Sequence, residues 1–127
     1  MAGVAIVVAL ALLEYSIFVW LCGQARGRYD IPAPSTVGNT TYERYFRVQM
    51  NTVEHLVIFA PGMFMFGTYV STTWAMGLGI VFIIGRALYA RAYLSENPGS
   101  RGPGFLLTLV PNLVLIWGSL IGAVMAL

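Results

Sequence analysis

Residues 2–22 read AGVAIVVALALLEYSIFVWLC. A helix needs about 20 mainly apolar residues to cross a bilayer, and this stretch supplies them with one interruption, Glu14. It lacks a basic start and its apolar run is too long for a signal peptide. Three further stretches follow the same rule. The spans are expected at 2–22, 44–70, 74–94 and 105–127, in a single domain covering 1–127. None shows the short alternation of a membrane barrel strand, so helices are the reading. Pro61 and Pro111 fall inside spans, where kinks are expected.

The composition agrees. Of 127 residues, 58% are hydrophobic and 9% charged, where a soluble domain carries roughly 25% charged residues. So few charges cannot keep the large surface of a small soluble fold wetted, and so apolar a chain is not disordered. The expected class is an all-α integral membrane four-helix bundle.

All seven basic residues are Arg, against five acids and one His. Two explanations stay open at this point: forked guanidinium binding of carboxylate or phosphate, and marking of cytoplasmic flanks. A net charge of +2 is too small to imply a nucleic-acid partner. The single Cys22 excludes an internal disulfide.

Four helices put the loops 23–41 and 95–104 on one side. Arg26, Arg28, Arg44, Arg47, Arg91 and Arg101 collect there, and the Ser71–Thr73 turn and both chain ends lie opposite without any Arg. The positive-inside rule makes the Arg-rich side cytoplasmic. The sequon-like Asn39-Thr40-Thr41 would then stay unmodified and is read as chance.

Charged groups within spans are costly and mark function. Arg44, Arg47, Asn51, Glu54 and His55 fall within an arc of roughly 100° on the second helix; Gln49 points elsewhere. Such a stripe could simply hold the bundle together, or receive a zwitterion, with Arg taking a carboxylate and Glu an ammonium. Arg86, Tyr89 and Tyr93 share one face of the third helix, and Arg91 lies off it. Glu14 is expected to pair with Arg86 or another buried cation, or to bind a proton or cation. His55 reads as a core histidine. No spacing resembles a zinc site, so no metal is expected.

The run Glu43 to Glu54, with Arg47, Asn51 and Glu54 at its core, resembles the second-helix motif of the MAPEG family, the membrane-associated proteins in eicosanoid and glutathione metabolism. Gly85-Arg86-Ala87-Leu88-Tyr89 with Ala92-Tyr93 resembles the family's third-helix motif, and Arg101 to Phe105 the start of its fourth helix. Gln24-Ala25-Arg26 and the Pro-containing loop also fit. The resemblance runs nearly the whole chain and is nearest to microsomal glutathione transferases and leukotriene C synthase.

The resemblance implies a homotrimer binding glutathione between neighbouring subunits near the cytoplasmic face. Arg26, Arg47, Gln49, Asn51, Glu54, Arg86, Tyr89 and Tyr93 would line that site. Arg101 would stabilise the thiolate, assisted by Tyr93, although one extra residue separates Arg101 from Tyr93 relative to the family. His55 replaces a Tyr of the nearest branch. The implied activity is conjugation of the glutathione thiolate to lipophilic electrophiles that enter from membrane lipid, with hydroperoxide reduction as a side activity. Two rivals are kept. A proton-coupled multidrug transporter would explain Glu14, but not the 19-residue first loop or the Arg/Asn/Glu stripe. A non-catalytic lipid-binding MAPEG member would leave Arg101 and the two Tyr without a task. The short chain, ending at its fourth helix, favours a bacterial inner membrane over the endoplasmic reticulum.

Overall fold

The computed structural model describes residues 1–95 and 102–127. These form four helices in chain order: α1 (Ala2–Arg28), α2 (Thr40–Tyr69), α3 (Thr72–Leu94) and α4 (Gly102–Met125). Among the described residues there is no strand. By length and composition α1, α3 and α4 can each cross a membrane. The 30 residues of α2 make a helix about 45 Å long. Its first half carries Arg44, Arg47 and Glu54, so only its second half is as apolar as the other three helices.

Helix α1 runs six residues past the apolar stretch that ends at Cys22. Loss of apolar character marks the edge of a bilayer and not the end of a helix. Nothing in 23–28 forbids helical geometry, and the first Pro comes only at Pro32. The chain then turns at Asp30, with φ 53°, and at Gly38, with φ 129°.

Asn39 caps α2 by accepting a 3.0 Å bond from the Tyr42 amide. Glu43, in the first turn, accepts from the Gly38 amide at 3.3 Å, so a carboxylate sits at the positive end of the helix dipole. Part of the apparent sequon thus has a structural task. Ser71 caps α3 in the same way, from the Trp74 amide at 3.2 Å. Only Val70 and Ser71 separate α2 from α3. Both helices that contain proline, α2 with Pro61 and α4 with Pro111, continue through it.

Helices α2 and α3 are central. Helix α1 packs on both from one side and α4 on both from the other, and α1 does not meet α4. The core joins Val4, Val7, Val8 and Ala11 of α1 to Leu56, Phe59, Met63 and Phe66 of α2, Ala75 and Phe82 of α3, and Leu115 of α4. Phe59 and Phe82 stack with centroids 4.0 Å apart. The α3/α4 crossing is closest at Gly85 and Gly104. A Cβ on Gly104 would lie 2.4 Å from the Tyr89 amide nitrogen, and one on Gly85 would lie 2.8 Å from the Leu107 backbone. Only glycine permits that approach, and it brings the start of α4 against Tyr89. The outer faces of α1 and α4 expose Ile6, Leu10, Leu13, Ile17, Leu113, Leu120 and Ile121, as a lipid-facing surface requires.

Candidate functional site on the polar half of helix α2

The second-helix stripe is not one surface. Arg47 and Glu54 lie seven residues apart, two helical turns, and Arg47 Nη1 stands 3.7 Å from Glu54 Oε1. Both side chains are open, at 52% and 57% exposure, on the outer flank of the bundle. Asn51, between them in sequence, is half-buried and turns inward. Its Oδ1 accepts a 2.8 Å bond from Arg86 Nη2 on α3. Arg44 is tied to the end of α3 through a 3.1 Å bond from Nη1 to the Ser95 carbonyl. His55 is half-buried with its ring edge 6.1 Å from Phe105, and its backbone carbonyl accepts from Asn112 Nδ2 at 3.2 Å. Gln49 is half-buried off the stripe.

Arg86 has no exposed surface. Besides Asn51 it meets Thr108 Oγ1 at 3.4 Å, and its guanidinium lies 4.4 Å from the centroid of the Tyr89 ring. Tyr89 in turn stacks on Tyr93, centroids 5.6 Å apart. A cation–aromatic column therefore climbs α3 from the bundle interior toward its C-terminal end. Thr108 donates back to the Gly104 carbonyl at 2.9 Å, so the close α3/α4 crossing and the Arg86 cluster form one unit. Glu14 of α1 forms no ion pair with Arg86 among the described residues, and its Oε1 and the Arg86 Nε are both buried without a hydrogen bond.

Arg26 sits at the far end of α1. Its Nη1 donates to the Ile31 carbonyl at 3.2 Å and the Ser35 carbonyl at 2.7 Å, and its Nη2 to the Tyr42 hydroxyl at 2.5 Å. The guanidinium also lies over the Tyr42 ring. Burial pushes the Tyr42 phenol up, which keeps it a neutral acceptor for Arg26. Arg26 thereby fastens the 23–41 loop to the start of α2, and one edge of it lines an open cleft of about 580 Å³ with Asp30, Ile31 and Pro32. Arg101 lies outside the described residues.

Sequence reasoning missed Thr108, Asn112 and Tyr42. The first two carry a readable signal: polar side chains four residues apart within an apolar span lie on one face and need a partner. Tyr42 carries none, because only the folded loop brings Arg26 to it. Among the described residues no three His, Cys, Asp or Glu converge as a metal site would require.

The open pair on α2 offers a guanidinium and a carboxylate about two turns apart. That arrangement suits a ligand with both an anionic and a cationic end. Comparison with known proteins fits the geometry. The chain is 39% identical over 117 residues to an uncharacterized protein from Synechocystis sp., covering 92% of this chain and 85% of that one. It is 39% identical over 113 residues to microsomal glutathione S-transferase 2 of Homo sapiens, covering 86% and 76%. The Bos taurus protein of the same name is 37% identical over 113 residues, covering 86% and 77%. The sequence model of the MAPEG family matches residues 4–121. With three helices fit to cross a bilayer and that match along nearly its whole length, the chain is an integral membrane protein of the MAPEG family.

Proposed function

We propose that the protein is a membrane-bound glutathione transferase that joins the glutathione thiolate to lipophilic electrophiles, with hydroperoxide reduction as a side activity. The observation that carries this reading is the open Arg47–Glu54 pair, with Asn51 between, on a helix of a membrane protein. Charge on the outer flank of a membrane bundle is expensive unless something polar covers it. A second copy of the chain with glutathione at the interface would cover it, and a homotrimer supplies that cover for every protomer. Glutathione has two carboxylates and one ammonium; Arg47 would take a carboxylate, Glu54 the ammonium, and Asn51 a further acceptor. Gln49 would reach the ligand from the neighbouring face, and Arg26 from the loop end. Tyr89 and Tyr93 lead toward the start of α4, where Arg101 would hold the sulfur.

The chemistry follows from the charges. The thiol proton leaves to water, the sulfur attacks an electrophilic carbon, the S–C bond forms, and the leaving group departs with its electron pair. A guanidinium beside the sulfur favours the thiolate, and each unit of lowered thiol pKa corresponds to about 1.4 kcal/mol. The lipophilic partner would arrive from the bilayer. The Arg-rich loops would face the cytoplasm under the positive-inside rule, and the site with them.

The test is conjugation of glutathione to an aryl halide by the purified protein, followed with the ultraviolet absorbance of the thiolate. Turnover, with a thiolate band that Arg101→Ala removes, is the expected result. Glutathione binding without turnover would instead mark a non-catalytic member of the family. Absence of binding, beside proton-coupled uptake lost in Glu14→Gln, would favour the transporter reading, to which the buried Glu14 carboxylate lends its support.

A further inference from the structure

Asparagine presents two chemically opposite ends, a carbonyl that accepts and an amide NH2 that donates. Arginine has five N–H donors and no acceptor. The 2.8 Å contact between Arg86 and Asn51 therefore admits only one orientation of the Asn51 amide, with Oδ1 on Arg86. The Nδ2 end is left pointing away from Arg86. It is neither hydrogen-bonded to another described residue nor sealed in the interior. It lies on the same half of α2 as the open Arg47–Glu54 pair.

The orientation is held from behind. Arg86 is entirely buried, with Thr108 on a second nitrogen and the Tyr89 ring beneath its guanidinium, so it cannot swing out to meet a ligand without leaving the core. A buried cation needs a counter-charge. Of the five acids in the chain, Asp30, Glu43 and Glu54 are exposed and Glu96 lies outside the described residues. Glu14 is the remaining acid: it is half-buried on α1, which packs on α3, and its Oε1, like Arg86 Nε, is sealed from solvent without a hydrogen bond.

We propose that Arg86 and Glu14 are positioning residues that act through Asn51: Glu14 balances the buried guanidinium, Arg86 holds the Asn51 carbonyl, and the Asn51 amide NH2 is thereby fixed outward as a donor to a carboxylate or amide carbonyl of the ligand. The inference rests on the glutathione reading for the identity of that ligand. The Arg86–Asn51 coupling itself does not depend on it. The sequence grouped Arg86 with the residues that line the site. Here its influence on binding passes entirely through its neighbour.

Two measurements on the full-length protein in detergent test this. The first is a double-mutant cycle of Arg86→Lys and Asn51→Ala, read both as thermal unfolding and as glutathione affinity. Each single variant is expected to weaken glutathione about tenfold, the loss of one hydrogen bond. The double variant is expected to be no weaker than Asn51→Ala alone, and the unfolding losses are expected to be less than additive. Affinity losses that multiply in the double variant would mean that Arg86 meets the ligand itself and would overturn the proposal. Additive unfolding losses would overturn the Arg86–Asn51 link. A wild type that binds no glutathione, with unfolding still coupled, would overturn the glutathione reading and leave the positioning chain standing.

The second uses Asn51→Asp and Glu14→Gln. Asn51→Asp keeps the acceptor for Arg86 but removes the outward donor, so the fold should hold its melting temperature while glutathione binding falls at least tenfold. Retained binding would show that Asn51 serves only as an internal strut and would refute the proposal. Glu14→Gln is expected to weaken glutathione in the wild-type background and to add nothing in the Asn51→Ala background. A further loss there would remove Glu14 from the chain.

Discussion

The outer and inner edges of α2 carry the same kinds of side chain and meet opposite fates. On the inner edge Asn51 is gripped by Arg86, which is itself held by Thr108 and packed on Tyr89. On the outer edge Arg47 and Glu54 stand more than half exposed and, among the described residues, reach only each other, at 3.7 Å. The inner groups are held by protein contacts, with Arg86 Nε left without a hydrogen bond. The outer groups have spare hydrogen-bonding capacity. Burial inside the bundle therefore marks what builds it, and exposure on the same helix leaves groups that a ligand can engage.

Several substitutions would break or sharpen that contrast. The largest effect is expected on the inner edge. Arg86→Leu leaves Asn51 and Thr108 without their buried donor and should cost about 1–3 kcal/mol of stability, read as thermal unfolding in a mild detergent. Gly104→Ala comes next. Its Cβ would collide with the Tyr89 backbone, so α3 and α4 must part, at roughly 1–3 kcal/mol. Turnover should fall with it, because the start of α4 moves off the Tyr89–Tyr93 stack. On the outer edge Glu54→Gln should change protomer stability by only about 0–1 kcal/mol, as exposed pairs do, and yet weaken glutathione about tenfold; isothermal titration reads the second number. A Glu54→Gln protein that melts far below wild type would place Glu54 with the inner edge instead. The smallest effect is expected at His55, which sits between the edges with its ring against Phe105. His55→Phe should leave glutathione affinity unchanged and shift stability by less than about 1.5 kcal/mol.

Much of this was legible beforehand because apolar length and helical period are strong, local signals. Four helices, the polar first half of α2 and the Arg86–Tyr89–Tyr93 face could all be read along the chain. The split of the α2 stripe could not. Periodicity says that Arg47, Asn51 and Glu54 share a face about 100° wide, but which part of that arc α3 covers depends on how the helices cross. Apolarity marks the span 2–22 and carries no signal for where the helix itself ends, whereas the backbone follows its hydrogen bonds to Arg28. The loop partners of Arg26, Ile31, Ser35 and Tyr42, could not be read along the chain because they become neighbours only when residues 29–39 fold back. The partner of Glu14 could not be read, because the sequence holds no information on the distance between it and Arg86.

The account turns on the outer edge of α2 being the glutathione site, and Arg47→Ala tests it most directly. Glutathione titrated into the purified wild-type and Arg47→Ala proteins, at matched detergent and salt, should bind the first and bind the second at least tenfold more weakly, with the two melting at nearly the same temperature. Equal affinity for the two proteins would contradict the claim.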